Sequence, residues 1–357
     1  MSPDVPCRAG LRTHAIVQKL PAMPTACLNT PGHRLRLASA RLEVHGRHPD
    51  TGNECCLRHI PLHDLDRLLV HEGVQISSEA LAEVLRRSIP VVIMAHEGRS
   101  LGHFTPTGNA HGTWRLRQYQ RTLDADFVLP HAGRIVAAKL YNQRRVLQRL
   151  AANRKTDISD HANYLAGLLS DCARVTSLDE LRGLEGAAAA RYFQVWASFL
   201  PSAFPFGRRS TRPPLNPVNA CLSYGSTLLY HEVTAALHAV GLDPALGLLH
   251  TTQDDRWSLA LDLMEPFRPV LTEALALDLF SHQILNATHF EPRNGGIYLN
   301  KDGRARFLLQ YERRIERQFM AECLGHRSTL RQILNATASQ YKASLDQPEK
   351  FEPFLMN

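Results

Sequence analysis

The sequence predicts an α+β protein: a β-rich N-terminal domain followed by a larger all-α C-terminal domain. Three observations support this. Between residue 34 and about 112, polar and apolar residues alternate in short runs broken by turn residues, the period of half-buried strands. After Trp114 the pattern lengthens into helical periodicity interrupted by Pro and Gly. The chain has 357 residues, 44% of them hydrophobic, enough for a substantial core and for two domains.

The elements follow in order. Residues 1–27 read as a variable leader with no apolar run long enough for a signal peptide. Residues 28–115 form the β-rich domain, in which 34–39, 40–44 and 57–62 alternate around a turn at 49–53 and fit an antiparallel sheet. Ser77-Ser78-Glu79 opens a short helix to Arg87. Ile89–Ala95 is an apolar run suited to a buried strand, far short of the roughly 18–20 residues that cross a bilayer. In residues 116–346 the expected helices are 131–153, 160–170, 184–200, 217–240, 256–286 and 306–346, the last as more than one helix, with a Pro-rich loop at 201–217. Residues 347–357 read as a tail. Seven cysteines at irregular spacing, with no CxxC pair, predict reduced thiols and a cytoplasmic location.

Charge narrows the function. Lys plus Arg is 41 against 34 for Asp plus Glu. Seven basic residues and no acid lie between Arg134 and Lys155, so this one segment accounts for the whole excess and points to a polyanion such as nucleic acid. A run of this kind lacks the i, i+4 acidic partners of an ordinary solvated helix, so Arg144, Arg145 and Arg149 are expected at phosphates. Arg208, Arg209 and Arg212 in the Pro-rich loop are further candidates, beside the plainer reading of a solubilising loop.

Four residues carry candidate chemistry. Asp262 and Glu265 are three apart, on one helical face that could hold a cation; the same spacing also suits a surface helix whose Asp262, Glu265 and Arg268 pair among themselves. His250 reads as a ligand or as a satisfied core histidine. Glu185 precedes small residues that would let neighbours pack close and bury its carboxylate, a burial that a divalent cation relieves; alternatively it is a helix-entry Glu favoured by the N-terminal dipole. Two carboxylates and an imidazole form a hard O/N donor set suited to Mg²⁺ or Mn²⁺.

The segments LEGAAAARYF (184–193), RPPLNPVNACLSYG (212–225), GLDPALGLLH (241–250) and SLALDLMEPFRP (258–269), with Ile60–Ser77 and AKLYNQRRVLQR (138–149), resemble the CRISPR-associated integrase-nuclease family of the spacer-acquisition complex, from about residue 28 to 345. The resemblance implies a metal site of Glu185, His250 and Glu265, with Asp262 close by in the catalytic C-terminal domain. It implies that Lys139 lies in a DNA-handling stretch, and Tyr224 and Tyr230 are further candidates for DNA contact, although Tyr is more often core. The implied reaction is attack of a fragment's 3′-hydroxyl on repeat DNA, with Mg²⁺ or Mn²⁺ as cofactor. The implied assembly is a homodimer, formed through the N-terminal domain, that joins a small ferredoxin-like subunit and protospacer DNA. A stand-alone repair nuclease and a non-catalytic nucleic-acid-binding protein are the competing readings.

Overall fold

The computed structural model describes residues 25–48, 51–65, 67–95, 100–104, 111–321 and 325–356. Residues 1–24, Pro49 and Asp50 of the expected turn, and Cys7 and Cys323 lie outside them. The N-terminal part holds two four-stranded sheets, not one antiparallel sheet. Strands β1 (Thr25–Leu28), β2 (Arg34–Ala38), β3 (Arg41–Arg47), β4 (Glu54–Pro61), β5 (Arg67–His71), β6 (Gln75–Ile76), β7 (Val91–Met94) and β8 (Ser100–Phe104), with helix α1 (Ser78–Arg86), build them. One sheet runs β4-β3-β2-β6, with an antiparallel β2-β3-β4 meander; the other runs β1-β5-β7-β8 with its first three strands parallel.

The alternation read from the sequence belongs to the meander, where Leu42 and Val44 face the core and Glu43 and His45 face outward. The parallel strands are apolar on both faces because both are covered, which explains the unbroken run at Val91–Met94. Strand β1 takes up Thr25–Cys27, the end of the expected leader. Ser77 caps α1, its hydroxyl accepting from the Ala80 amide at 3.2 Å.

The C-terminal part begins with α2 (Gly112–Thr122) and the 30-residue α3 (Ala125–Arg154), followed by α4 (Ser159–Asp171), α5 (Leu178–Ser198) and α6 (Pro217–Ala239). The expected helix 256–286 is broken into α7 (Ser258–Met264), a 3₁₀ turn Glu265–Phe267, a π-helical segment Arg268–Glu273 and α8 (Ala274–Ser281). Pro266 and Pro269 have no N–H to donate, so an α ladder cannot run through them and the turn tightens, then widens. The part is not all-α. Hairpin β9 (Phe290–Arg293) and β10 (Gly296–Leu299) precedes α9 (Lys301–Ile315), and β11 (Phe319–Ala321) and β12 (His326–Ser328) separate α9 from α10 (Leu330–Ser344).

Two further expectations change. The basic helix α3 is the central element of the core, burying Ile135, Val136, Leu140 and Leu147 completely. Residues 347–357 are not a loose tail: Phe351 stacks on His131, Phe354 on Phe267, and both are buried. The five described cysteines form no disulfide, and among the described residues no helix is long and apolar enough to cross a membrane.

The two parts meet at a buried ion network. Arg67 of β5 pairs with Glu232 of α6, and Arg331 of α10 reaches Glu232 at 3.0 Å, Glu312 of α9 at 3.1 Å, and Glu316. Burial pushes Glu232 up, but Arg331 and Arg67 outweigh it and hold the carboxyl down at about 2. Removing one partner of such a network strands the rest, so Arg331→Met should cost roughly 3–5 kcal/mol. The check is a fall in the denaturant midpoint at unchanged m-value.

Candidate metal centre

The centre is built around α3. Lys139 sits three and four residues after Val136 and Ile135, on the helix's buried face. Its Nζ lies 2.5 Å from Glu185 Oε1 and 2.5 Å from Glu265 Oε2. Lys139 is therefore a buried counter-ion to two carboxylates, and it also lines a basic cleft. Burial works against its charge, and the carboxylates of Glu265 and Glu185 overcome this and raise its pKa. Arg268 closes the other side of Glu265, Nη1 to Oε1 at 2.7 Å. Burial pushes Glu265 up, yet Arg268 and Lys139 bring it down to about 2.

Glu185 is not a helix-entry residue. Its helix α5 starts seven residues earlier at Leu178, where Ser177 is the cap, its Oγ accepting from the Glu180 amide. Of the small residues after Glu185, Ala188 packs into the core, whereas Gly186 and Ala190 face open space.

His250 lies in the loop between α6 and α7, held by Asp262. Asp262 Oδ2 accepts from the amides of Leu248 (2.5 Å) and Leu249 (3.1 Å), and Oδ1 accepts from the amide (3.0 Å) and Nδ1 (2.6 Å) of His250. All of its reach is spent on the loop, so Asp262 positions His250 instead of binding a cation itself. With Nδ1 donating, Nε2 is the free imidazole donor. Burial lowers the His250 pKa, but the Asp262 bond and the charges of Asp262, Glu265 and Glu185 raise it overall. The loop closes tightly: a Cβ on Gly247 would lie 2.0 Å from the His250 carbonyl oxygen. Arg182 of α5 ties the same loop to the Glu185 helix through Leu249 O at 2.8 Å. The surface-helix reading of Asp262 and Glu265 is thus excluded, since both are buried, and only the Glu265–Arg268 pair of that reading is present.

The residues fit a hard divalent cation in one respect and are looser in another. Glu185 and Glu265 are spaced to share a single cation, as the ammonium between them demonstrates, and the Glu265 Oε2 contact is an ion pair outside hydrogen-bond geometry. His250 is near enough to feel both charges. Among the described residues, however, the only three His, Cys, Asp or Glu side chains whose donor atoms all lie within 4.8 Å are Glu43, His45 and Cys56. Lys139 must therefore yield its place for Glu185, His250 and Glu265 to meet one ion.

A cleft of about 650 Å³ opens onto the centre, lined by Lys139, Arg268, Arg208, Arg209, Phe193 and Phe206, with no carboxylate in its wall. Arg208 is exposed, while Arg209 donates to Asn219 Oδ1 and Ser223 Oγ, and burial brings it down to about 10. Arg212, Tyr224 and Arg304 line a second cleft, and the Tyr224 ring packs on Phe307. Tyr230 accepts the Trp257 amide at the start of α7, which makes it a brace.

The basic run of α3 divides. Arg134 donates to Pro348 O and Phe351 O, Arg144 to Ala162 O and Arg154 to Ser281 Oγ, all internal work. Arg149 is exposed, with Arg145, Arg317 and Arg314 close enough to lower its pKa further once burial has begun the shift. Sequence reasoning missed the roles of Lys139, Arg268 and Asn142. Asn142 Nδ2 bonds Pro266 O and Phe354 O. Helical phase relative to Ile135 and Val136 was the available signal for Lys139.

The fold and the centre together define a mixed α/β protein with buried carboxylates, a clamped histidine, and a basic cleft walled by the lysine and arginine that pair with Glu265. Residues 26–313 match the family model for CRISPR associated protein Cas1, and the chain belongs to that family. It is 32% identical over 332 residues to the CRISPR-associated endonuclease Cas1 1 of Thermus thermophilus, covering 93% of this chain and 99% of the relative. It is 33% identical to a CRISPR-associated exonuclease Cas4/endonuclease Cas1 fusion of Geobacter sulfurreducens, covering 87% of this chain but only 54% of that longer protein. Among solved structures, a casposase bound to integration product shares the fold (TM-score 0.80, 23% identity, 91% of each chain). A Cas6-RT-Cas1–Cas2 complex aligns with TM-score 0.76 at 26% identity, over 95% of this chain and 37% of that one.

Asp262→Asn should lower the His250 pKa, measured by NMR titration of its ring. A raised folded-state pKa means the pair's stabilisation is full below about pH 6.5 and drains as pH rises through the folded value. In Asp262→Asn apoprotein that decline in melting temperature should disappear.

Proposed function

We propose that this protein is a metal-dependent DNA integrase and endonuclease that inserts short foreign DNA fragments into a CRISPR repeat array. The observation that carries the reading is the arginine-lined cleft whose wall includes Lys139 and Arg268, the two cations that pair with Glu185 and Glu265 behind it. Membership of the family, relatives named endonucleases, and the likeness to a casposase bound to integration product support it.

Glu185, Glu265 and His250 Nε2 would hold Mg²⁺ or Mn²⁺. When bound, the ion neutralises a phosphodiester oxygen, lowers the pKa of an attacking hydroxyl or water, and stabilises the leaving alkoxide. Asp262 keeps the His250 ring in one orientation. Arg208 and Arg209 neutralise the incoming backbone, and Phe193 and Phe206 offer apolar faces to bases. Lys139, released from the carboxylates, and Arg268 remain as positive charge beside the reacting phosphate. In strand transfer the fragment's 3′-hydroxyl attacks a repeat phosphodiester, one P–O bond forms as another breaks, and the displaced 3′-oxygen takes a proton. Disintegration reverses this.

The assembly we propose is a homodimer, joined through the β-rich parts, that binds a small ferredoxin-like subunit; of this, the aligned Cas6-RT-Cas1–Cas2 complex supports the presence of a second adaptation subunit. Further phosphate contacts fall to the Arg145, Arg149 and Arg317 patch.

Two measurements test the reading. His250→Ala and Glu265→Gln should each lower Mn²⁺-dependent strand transfer and disintegration by at least about 100-fold while DNA affinity persists. Near-normal transfer by folded His250→Ala would remove that residue from the mechanism. Charge reversal at Arg145 and Arg149 should weaken binding of all sequences and reduce the salt slope by about 0.9 per lost phosphate contact. An unchanged slope assigns the patch to another surface.

A further inference from the structure

We propose a second, soft-metal site on the outward face of the β3–β4 hairpin, formed by Glu43, His45, Cys56 and His59, with Zn²⁺ as its ion. The site is separate from the carboxylate centre and does not rest on the proposed function.

Glu43 Oε2 lies 3.2 Å from His45 Nε2, Glu43 Oε1 lies 3.5 Å from His59 Nδ1, and Cys56 Sγ lies 3.8 Å from His59 Nδ1. The donors of Glu43, His45 and Cys56 all fall within 4.8 Å of one another. A tetrahedral ion with bonds of about 2.0–2.3 Å sets its donors roughly 3.3–3.8 Å apart, so Glu43, His45 and Cys56 stand within a small adjustment of a three-donor site, and His59, which touches Glu43 Oε1 and Cys56 Sγ but lies outside that group, completes the shell by a side-chain rotation.

The backbone explains how the thiol joins the group. Glu43 is paired with His59 and Val44 with Arg58, so a regular ladder would put Leu57 opposite His45. A β-bulge after Val44 shifts the register and sets Cys56 there instead. Beneath the hairpin Leu42 and Val44 are buried, which fixes the strands that present the four donors. Arg41 Nη2 donates to Glu43 Oε1 at 2.9 Å and leaves Oε2 turned to His45, the kind of outer bond that orients a carboxylate ligand.

Donor chemistry selects the metal. A thiolate with two imidazoles and one carboxylate favours Zn²⁺, with Co²⁺ as its spectroscopic stand-in, and disfavours Mg²⁺, the reverse of Glu185 and Glu265. Binding releases the thiol proton and joins β3 to β4 through one ion, so it should also stabilise the fold.

The full chain, reduced and stripped with chelator, is titrated with Co²⁺. The expected result is one equivalent giving intense tetrahedral visible bands and a near-ultraviolet thiolate-to-cobalt band, displaced by stoichiometric Zn²⁺ but not by excess Mg²⁺. Cys56→Ser should abolish the thiolate band and His45→Ala should weaken Co²⁺ binding at least tenfold. Cys55→Ser, altering the neighbouring thiol, and the Glu185→Gln/Glu265→Gln double variant should keep it. Zn²⁺ should raise the melting temperature of the wild type and not of Cys56→Ser. Absence of a thiolate band in the wild type, or an undiminished band in Cys56→Ser, overturns the site. The metal-free melting temperature of Cys56→Ser, whose side chain is on the exposed face, checks that lost binding is not lost folding.

Discussion

The structure depends on the compensation of carboxylates buried at the middle of its longest helix. Glu265 is 1% exposed, and Asp262 and Glu273 lie buried beside it. Burying an ionised carboxylate costs several kcal/mol unless it is paired and hydrogen-bonded. Lys139 and Arg268 supply the opposite charge, and three loop amides and a histidine satisfy Asp262. One buried ammonium bridges Glu185 and Glu265, and a guanidinium closes the other side of Glu265.

The surrounding fold keeps those groups in register. The α-helix gives way after Met264 to the turn and π-segment that hold Pro266 and Pro269; Glu265, at the start of that turn, meets Lys139 of α3, while Asp262, still in α7, meets the His250 loop. The C-terminal segment reinforces the break: Asn142 of α3 holds Pro266 O and Phe354 O and accepts from the Met356 amide. Arg182 and Tyr230 tie the loop and α7 to α5 and α6. The last dozen residues thus contribute to the centre without reaching its chemistry.

The basic segment shows how a sequence signal is divided by packing. Seven cations without an acid marked α3 correctly as unusual, and read from composition all seven were equivalent. In the folded chain, three bond carbonyl or hydroxyl oxygens within the protein (Arg134, Arg144, Arg154), Lys139 neutralises two carboxylates, and Arg149 faces solvent. Long side chains bury their stems against apolar neighbours and place their charge where a partner is, so a count of charges does not locate a phosphate surface.

The sequence by itself determined the order of β-rich and helical parts, most of the long helices, and four residues that the fold brings to one neighbourhood across 80 positions, Glu185 to Glu265. Periodicity and motif spacing are local properties, and they survive translation into helices and strands. What only the tertiary structure decided was direction and pairing. It made β1, β5 and β7 parallel, gave Asp262 to the loop rather than to a cation, and turned Lys139 inward. It also turned residues 351 and 354 into core. Those outcomes rest on charge balance and surface burial between separate segments, 12 positions apart for His250 and Asp262 and 124 for Asn142 and Pro266, which local periodicity does not encode.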